Sequence, residues 1–243
     1  MGLVYGMYNV CRCLLWDVAK REAWRQACFR YWAHRACRII GVECTVVGLP
    51  PTPPFLLVCN HLSYVDIAVL ASLVDARFIA KRDVASWRIL GPPIRAAGTI
   101  FVDRNLQRDL VRVNDVIEDT LQKGEGVVFF PEGTSSPGAN VLPFKPSLLD
   151  FAARRGYPVH YASISYRTPR DEPSADDTVC WWGDMEFPDH FMKFLEIPNV
   201  YASIVFGEKP LREPDRKVLA DKLHQSVKEA FTPVIRKEDS CIS

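Results

Sequence analysis

Short apolar runs bounded by turn residues recur along this chain, and longer segments with helical spacing lie between them. Phe55–Cys59, Val127–Phe130, Val159–Ser165 and Val200–Phe206 are the clearest runs and predict strands. Arg77–Lys81 and Ile100–Asp103 predict two shorter strands, and Val42–Val47 alternates loosely enough for another. Asp66–Val74 and the amphipathic Arg108–Gln122 predict helices, the second ended by Gly124. Ser147–Arg155 reads as helical and stops at Gly156, and Pro214–Ile235 as a closing helix interrupted at Pro233. Asp83 is placed to cap a helix running towards Leu90, which Gly91-Pro92-Pro93 would break. Residues 3–40 carry helical signal, read as two helices ended by Gly41. The proline-rich stretch before Phe55 predicts a loop, and the polar stretch from Thr168 to Thr178 an exposed one. Strands alternating with helices predict an α/β fold. It is expected as a single-domain sandwich with a mixed or mainly parallel sheet flanked by helices, preceded by amphipathic N-terminal helices. The expected division is residues 1–45, a helical segment, and residues 46–243, the α/β domain.

Composition changes this picture little, and its distribution more. At 243 residues, 48% apolar and 24% charged, the chain is of ordinary globular type. A formal net charge of +1 gives no bulk positive field, so nucleic acid is not an expected partner. The eight cysteines include no C-x-x-C pair, and Cys11, Cys13, Cys28, Cys37 and Cys44 lack the spacing of a zinc site. They read as reduced thiols of a cytosolic compartment. No metal is expected, and His160, His190 and His224 show no ligand spacing. Residues 1–45 hold seven Lys or Arg against Asp17, Glu22 and Glu43, and so carry most of the positive excess. Trp16, Trp24, Phe29, Tyr31 and Trp32 lie among those cations, with His34 expected to be exposed. Such a mixture suits a helix lying in the headgroup layer of an anionic membrane. An amphipathic helix docked on the core, with its arginines solvated, fits the same pattern. Arg12 interrupts the apolar start, so neither a signal peptide nor a membrane span is expected.

The chemistry concentrates in two polar clusters, each directly after a predicted strand. Asn60-His61-Leu62-Ser63-Tyr64-Val65-Asp66 follows one, and Phe130-Pro131-Glu132-Gly133-Thr134-Ser135-Ser136 the other. Polar groups at the carboxyl ends of buried strands are where α/β folds carry sites. His61 and Asp66 are five apart, which misses one face of a regular helix. His61 is therefore expected on the turn before the helix and Asp66 in its first turn, where the pair can meet.

The two clusters and a third block between them resemble the glycerolipid acyltransferases of the lysophosphatidic acid acyltransferase type. The His-x-x-x-x-Asp motif is met by His61 and Asp66, Gly-x-x-Phe-x-x-Arg by Gly98, Phe101 and Arg104, and Phe-Pro-Glu-Gly-Thr-x-Ser by Phe130 to Ser136. The likeness runs from about Phe55 to about Tyr166. It implies transfer of a fatty acyl group from an acyl thioester to the free hydroxyl of a lyso-lipid, most directly 1-acylglycerol 3-phosphate. It implies no cofactor, acyl-CoA or acyl-carrier protein as co-substrate, and an enzyme expected to work peripherally or monotopically at the cytoplasmic face of a membrane. Two departures bear on the acceptor. Tyr161 follows Pro158-Val159-His160 where the family usually has proline, and Pro146-Ser147 replaces a residue plus glycine. A lyso-ornithine lipid, which has no phosphate, is the alternative acceptor, and a non-catalytic lipid-binding protein is a further one.

Acyl transfer assigns tasks to these residues. A neutral histidine suits the removal of the hydroxyl proton, and a carboxylate on its other nitrogen holds the tautomer. His61 and Asp66 are the expected pair. Arg104 matches the oxygens of a phosphomonoester, or else pairs with Asp103 or Asp109. Lys81 and, less directly, Lys145 are further cation candidates. Gly133 permits a tight turn, Thr134 and backbone N–H groups there suit phosphate or an oxyanion, and Glu132 is expected on the acceptor's hydroxyl or on Arg104. Cys59, inside a strand, is not expected as a nucleophile, and Ser63 reads as a local capping hydroxyl. Trp181-Trp182 lines an acyl channel, touches the membrane or packs in the core.

Overall fold

The computed structural model describes residues 18–86, 91–103 and 106–234. A helix, α1 (Val18–Ile39), leads in. It ends at Gly41, whose positive φ of 70° is the left-handed conformation that closes helices. The expected helix before residue 18 lies outside the described residues.

Seven strands form one sheet: β1 (Val42–Val47), β2 (Leu56–Cys59), β3 (Ala76–Lys81), β4 (Ile100–Val102), β5 (Gly126–Phe129), β6 (Val159–Arg167) and β7 (Val200–Phe206). Their order is β1-β7-β6-β2-β5-β3-β4. Every pairing is parallel except β6 with β7. The mixed, mainly parallel α/β sheet read from the sequence is therefore the fold. The central strands β2 and β5 are buried on both faces, which is why they appear as unbroken apolar runs rather than alternating ones.

Successive residues of these strands feed two cores. Leu57, Cys59 and Val128 face one, with Val65, Val69 and Leu70 of α2 (Val65–Leu73) and Ala33 of α1. Leu56, Val58, Val127 and Phe129 face the other. There they meet Val113 and Ile117 of α4 (Gln107–Gln122), Phe151 of α5 (Asp150–Arg155) and Leu219 of α8 (Arg216–Ala230).

Several local expectations are corrected. Gly91-Pro92-Pro93 does not break a helix; it opens a short one, α3 (Gly91–Ala96). Proline is tolerated there because the first-turn N–H groups have no helical partner to lose. The helix expected after Asp83 is a 3-10 turn over Arg82–Ser86. The loop expected from Thr168 to Thr178 ends in the short helix α6 (Ala175–Thr178), and Thr168, Ala175 and Thr178 are buried. A helix that the sequence reading passed over, α7 (Phe187–Leu195), inserts Phe194 into the first core. The closing helix is Arg216–Ala230, shorter than expected at both ends.

α1 is joined to the sheet by charge as well as by packing. Arg25 and Arg77 both bond Glu125, which is buried, and both also bond Glu22. Gln26 adds a bond to Glu125 at 3.0 Å. Two of the segment's charged residues, Glu22 and Arg25, thus face inward and are not part of a solvated stripe. Five cysteines are described, and none of them is joined in a disulfide.

Asn60 extends the β2–β6 pairing by one step through its side chain. Its Nδ2 donates to the Ile164 carbonyl at 2.9 Å, and its Oδ1 accepts the Ile164 N–H at 2.8 Å, in a fully buried position. Asn60→Ala leaves both groups of Ile164 unpaired. At about 1–3 kcal/mol for each orphaned buried group, the variant should lose about 3 kcal/mol in urea denaturation. A loss below about 0.5 kcal/mol, the size of an ordinary surface change, would refute the bridging role.

Candidate active site

Parallel connections place the motif residues together. The chain leaves the carboxyl end of β2 for α2 on one face of the sheet, and leaves β5 for α5 on the other face. Adjacent strands whose connections part in opposite directions open a crevice at their carboxyl ends, where α/β folds bind ligands. His61 stands at one lip and Glu132 at the other.

His61 lies on the turn before α2, and Asp66 is the second residue of that helix. The Nδ1 of His61 is 2.8 Å from Oδ2 of Asp66. The same carboxylate accepts the N–H of Leu62 at 2.7 Å, the N–H of Ser63 at 3.0 Å and the Tyr166 hydroxyl at 2.7 Å. It is fully buried. A carboxylate that accepts two backbone N–H groups has no proton to give the ring, so Nδ1 carries the hydrogen and Nε2 is left as the basic nitrogen. The imidazole stacks on Phe130 with centroids 4.1 Å apart, and its side chain is 20% exposed. The ring is thus fixed by a carboxylate at one edge and an aromatic face below, while part of it remains open to a ligand.

Glu132 meets the His61 loop from the other side. Its Oε1 accepts the His61 N–H at 3.1 Å, while Oε2 is buried with no partner within the protein. Burial, with the negative charge of Asp66 adding to it, pushes its carboxyl up to about 8, and the N–H groups of His61 and Leu142 moderate the rise. At neutral pH Glu132 is therefore largely a neutral acid, able to donate from Oε2. Gly133 sits at φ 80° and its N–H closes a turn on the Phe130 carbonyl at 3.2 Å. Thr134 is exposed. The Ser136 N–H returns to the His61 carbonyl at 3.1 Å, so the two motif loops brace each other.

The other candidates divide. Lys81 ends β3 at the same edge of the sheet, but it is exposed and pairs with Asp83 at 2.8 Å. Arg104 lies outside the described residues; its block reaches Asp103, directly after β4. Gly98 of that block has φ 76°, a left-handed conformation that favours glycine, and the Arg25 guanidinium of α1 lies directly against it. Lys145 is exposed. The Ser63 hydroxyl accepts the Val65 N–H at 3.3 Å from one residue before the N-cap, which is Tyr64 and has no side-chain cap, so Ser63 makes a local bond and not the cap expected of it. Cys59 is fully buried, and burial together with Asp66 and Glu132 drives its thiol well above the ordinary range, away from the reactive thiolate.

The tryptophan pair splits. The Trp181 N–H donates to the Leu62 carbonyl at 2.8 Å and its ring lies edge-on to Tyr64, whereas Trp182 is exposed. The departures at Tyr161 and Pro146 both serve packing. The Tyr161 ring covers Gly207, and Pro146 opens a 3-10 turn that seats Leu148 and Leu149 in the second core. His34 is exposed, as expected.

Two residues of this site escaped the sequence reading. Tyr166 holds Asp66 from the end of β6, a hundred positions away, and no local signal marks it. Asp109, in the first turn of α4, accepts the Asp103 N–H at 2.6 Å. The sequence reading considered it only as a salt-bridge partner for Arg104. A hollow of about 420 Å³ lies beside this segment, lined by Arg77, Arg82, Arg112 and Gly98–Phe101; neither His61 nor Glu132 lines it.

Known proteins resemble this chain in sequence and in fold. Residues 43–165 match the Acyltransferase family. A 1-acyl-sn-glycerol-3-phosphate acyltransferase of Neisseria gonorrhoeae is 31% identical, over 78% of this chain and 74% of its own. A lyso-ornithine lipid O-acyltransferase of Rhizobium meliloti is 33% identical, over 91% and 80%. The crystal structure of the 1-acyl-sn-glycerophosphate (LPA) acyltransferase from Thermotoga maritima superposes with a TM-score of 0.65 at 22% identity, over 93% of this chain and 88% of that one. The chain belongs to the Acyltransferase family and is an acyltransferase of the glycerolipid type.

The environment of Glu132 sets a pH dependence. Its carboxyl titrates at about 8 in the fold against an ordinary value of 4.5. The native state therefore holds the proton more tightly than the unfolded chain. The stability this provides is complete below the unfolded value and is lost as pH rises through about 8. Glu132→Gln lacks this loss. Denaturation of both proteins at about pH 5 and about pH 8.5 should show wild type falling behind the variant by up to about 5 kcal/mol at the higher pH. A pH-independent difference would place the Glu132 carboxyl in an ordinary environment.

Proposed function

We propose that this chain transfers a fatty acyl group from an acyl thioester to the free hydroxyl of a lyso-glycerolipid, with 1-acylglycerol 3-phosphate as the leading acceptor. The observation that carries the reading is the His61–Asp66 bond at 2.8 Å, which leaves Nε2 of His61 as a base on the loop that Glu132 braces through the His61 backbone N–H. In this reading the acceptor hydroxyl gives its proton to Nε2 as its oxygen attacks the thioester carbonyl. Asp66 stabilises the imidazolium that forms. The tetrahedral intermediate then expels the thiolate, which takes the proton from His61. No acyl-enzyme is required, in keeping with the inert Cys59. Glu132 orients the acceptor through Oε2, with Gly133 and Thr134 shaping the turn beside it. Arg104 binds the acceptor's phosphate, and Lys81 adds positive charge at that edge.

The donor is acyl-CoA or acyl-carrier protein, and the work takes place at the cytoplasmic face of a membrane. No helix among the described residues is long and apolar enough to cross one. Residues 1–45 are proposed as the contact. Trp24, Tyr31 and Trp32 are exposed on α1 beside exposed Arg21, Arg35 and Arg38, the composition of a helix seated among anionic headgroups. The relatives that act on lyso-ornithine lipid support that acceptor as the second reading.

His61→Ala should lower turnover by about 10²–10⁴-fold with the fold retained. Purified variant that keeps more than about a tenth of wild-type activity would end the general-base assignment. The acceptor is decided by Arg104. Arg104→Ala should raise the Michaelis constant for lysophosphatidic acid strongly, and Arg104→Lys should recover only part, since a lysine is a point charge and not a planar fork. Mass-spectrometric assays with lysophosphatidic acid, lyso-ornithine lipid and a monoacylglycerol compare the acceptors directly. An equal loss towards all of them would make Arg104 structural.

A further inference from the structure

Residues 98–103 of the Gly-x-x-Phe-x-x-Arg block run along the rim of the sheet. Their strand, β4, is three residues long and, among the described residues, pairs only with β3. So short an edge strand is weakly held by its own ladder. In an extended strand the carbonyl of one residue and the N–H two positions on face the same neighbour. Here those groups belong to Phe101 and Asp103, and α4 takes the neighbour's place. Arg112 Nη2 donates to the Phe101 carbonyl at 2.7 Å, and Asp109 Oδ2 accepts the Asp103 N–H at 2.6 Å. Arg112 Nε closes the clamp on Asp109 Oδ1 at 2.7 Å.

We infer that Asp109 and Arg112 are positioning residues, which stand in for a missing edge strand and fix the exit of the block from which Arg104 acts. The inference rests on the phosphate role proposed for Arg104. A surface ion pair three positions apart on a helix would need only the side-chain contact. Here both partners also hold the backbone, and Asp109 is buried. Arg112 first, then the Asp103 N–H, hold the Asp109 carboxyl down at about 2, so it remains an acceptor at any working pH. The residues flanking positions 104 and 105 are tied as well, through the Leu106 N–H and the Asp103 carbonyl at 3.2 Å.

The test uses full-length Asp109→Ala, Asp109→Asn, Arg112→Ala and Arg112→Lys, each also combined with Arg104→Ala. Asp109→Ala and Arg112→Ala should raise the acceptor KM about tenfold and leave kcat and the donor KM within about twofold. Asp109→Asn should restore most of the loss, because its amide oxygen still accepts the Asp103 N–H. Arg112→Lys should not, because an ammonium lacks the fork that bonds Asp109 and Phe101 together. Neither alanine change should add to the KM of Arg104→Ala. Additive losses, full rescue by Arg112→Lys, or equal changes in kcat and both KM values would overturn the inference. Arg104→Ala alone judges the phosphate reading. The clamp is judged without it by hydrogen exchange. Asp109→Ala should deprotect the amides of residues 100–106 and spare those of β2 and β5, and unchanged protection there would overturn the clamp whatever the acceptor.

Discussion

The buried carboxylate of Asp66 is the point on which the site depends. A charge removed from water is costly unless it is paired and hydrogen-bonded. Asp66 accepts bonds from a ring nitrogen, two backbone N–H groups and a tyrosine hydroxyl. Each of those partners is thereby placed. The two backbone N–H groups hold the turn between His61 and α2, Tyr166 ties that turn to β6, and the ring nitrogen sets the tautomer of His61. A histidine presented in this way keeps Nε2 clear of the carboxylate, as the role proposed for it requires. The same contacts explain the five-residue spacing of the motif, which is the length of a turn that folds back onto the start of its own helix.

A second carboxyl in the same crevice behaves in the opposite way. Asp66 is surrounded by donors, whereas Glu132 has one oxygen bonded to backbone and the other buried without a partner. Burial beside an existing negative charge favours the neutral acid. The two carboxyl groups thus lie in opposite surroundings, one among donors and one with an oxygen left over. The arrangement has a cost in stability, since Glu132 would be more comfortable exposed. Its retention in a crevice between two motif loops is what a ligand-binding role would require.

The remainder of the fold brings these groups together and shields them. Parallel strands buried on both faces need helices on each side, and the parting of the connections after β2 and β5 opens the crevice. The rim is less secure. β4 is short and has a free edge, and it is held by side chains from α1 at one end and from α4 at the other. Arg25 occupies the space above Gly98, while Asp109 and Arg112 engage the strand beyond it.

The sequence by itself determined the fold class, the sheet-forming runs and the residues of both motif loops. Those properties depend on local periodicity and on turn chemistry, which a linear pattern records. It also placed His61 and Asp66 correctly about the start of α2, because a five-residue spacing excludes a shared helical face. It did not anticipate α3, where prolines read as breakers occupy first-turn positions that need no N–H donor, and it passed over α7. Only the tertiary structure decided that Tyr166 supports Asp66 and that Asp109 holds Asp103. It also decided that Tyr161 packs on Gly207 and that Glu132 is buried deeply enough to keep its proton. Each of these depends on which distant strands lie side by side and on how much water they exclude. Contact and desolvation are properties of the assembled sheet, and no spacing along the chain encodes them.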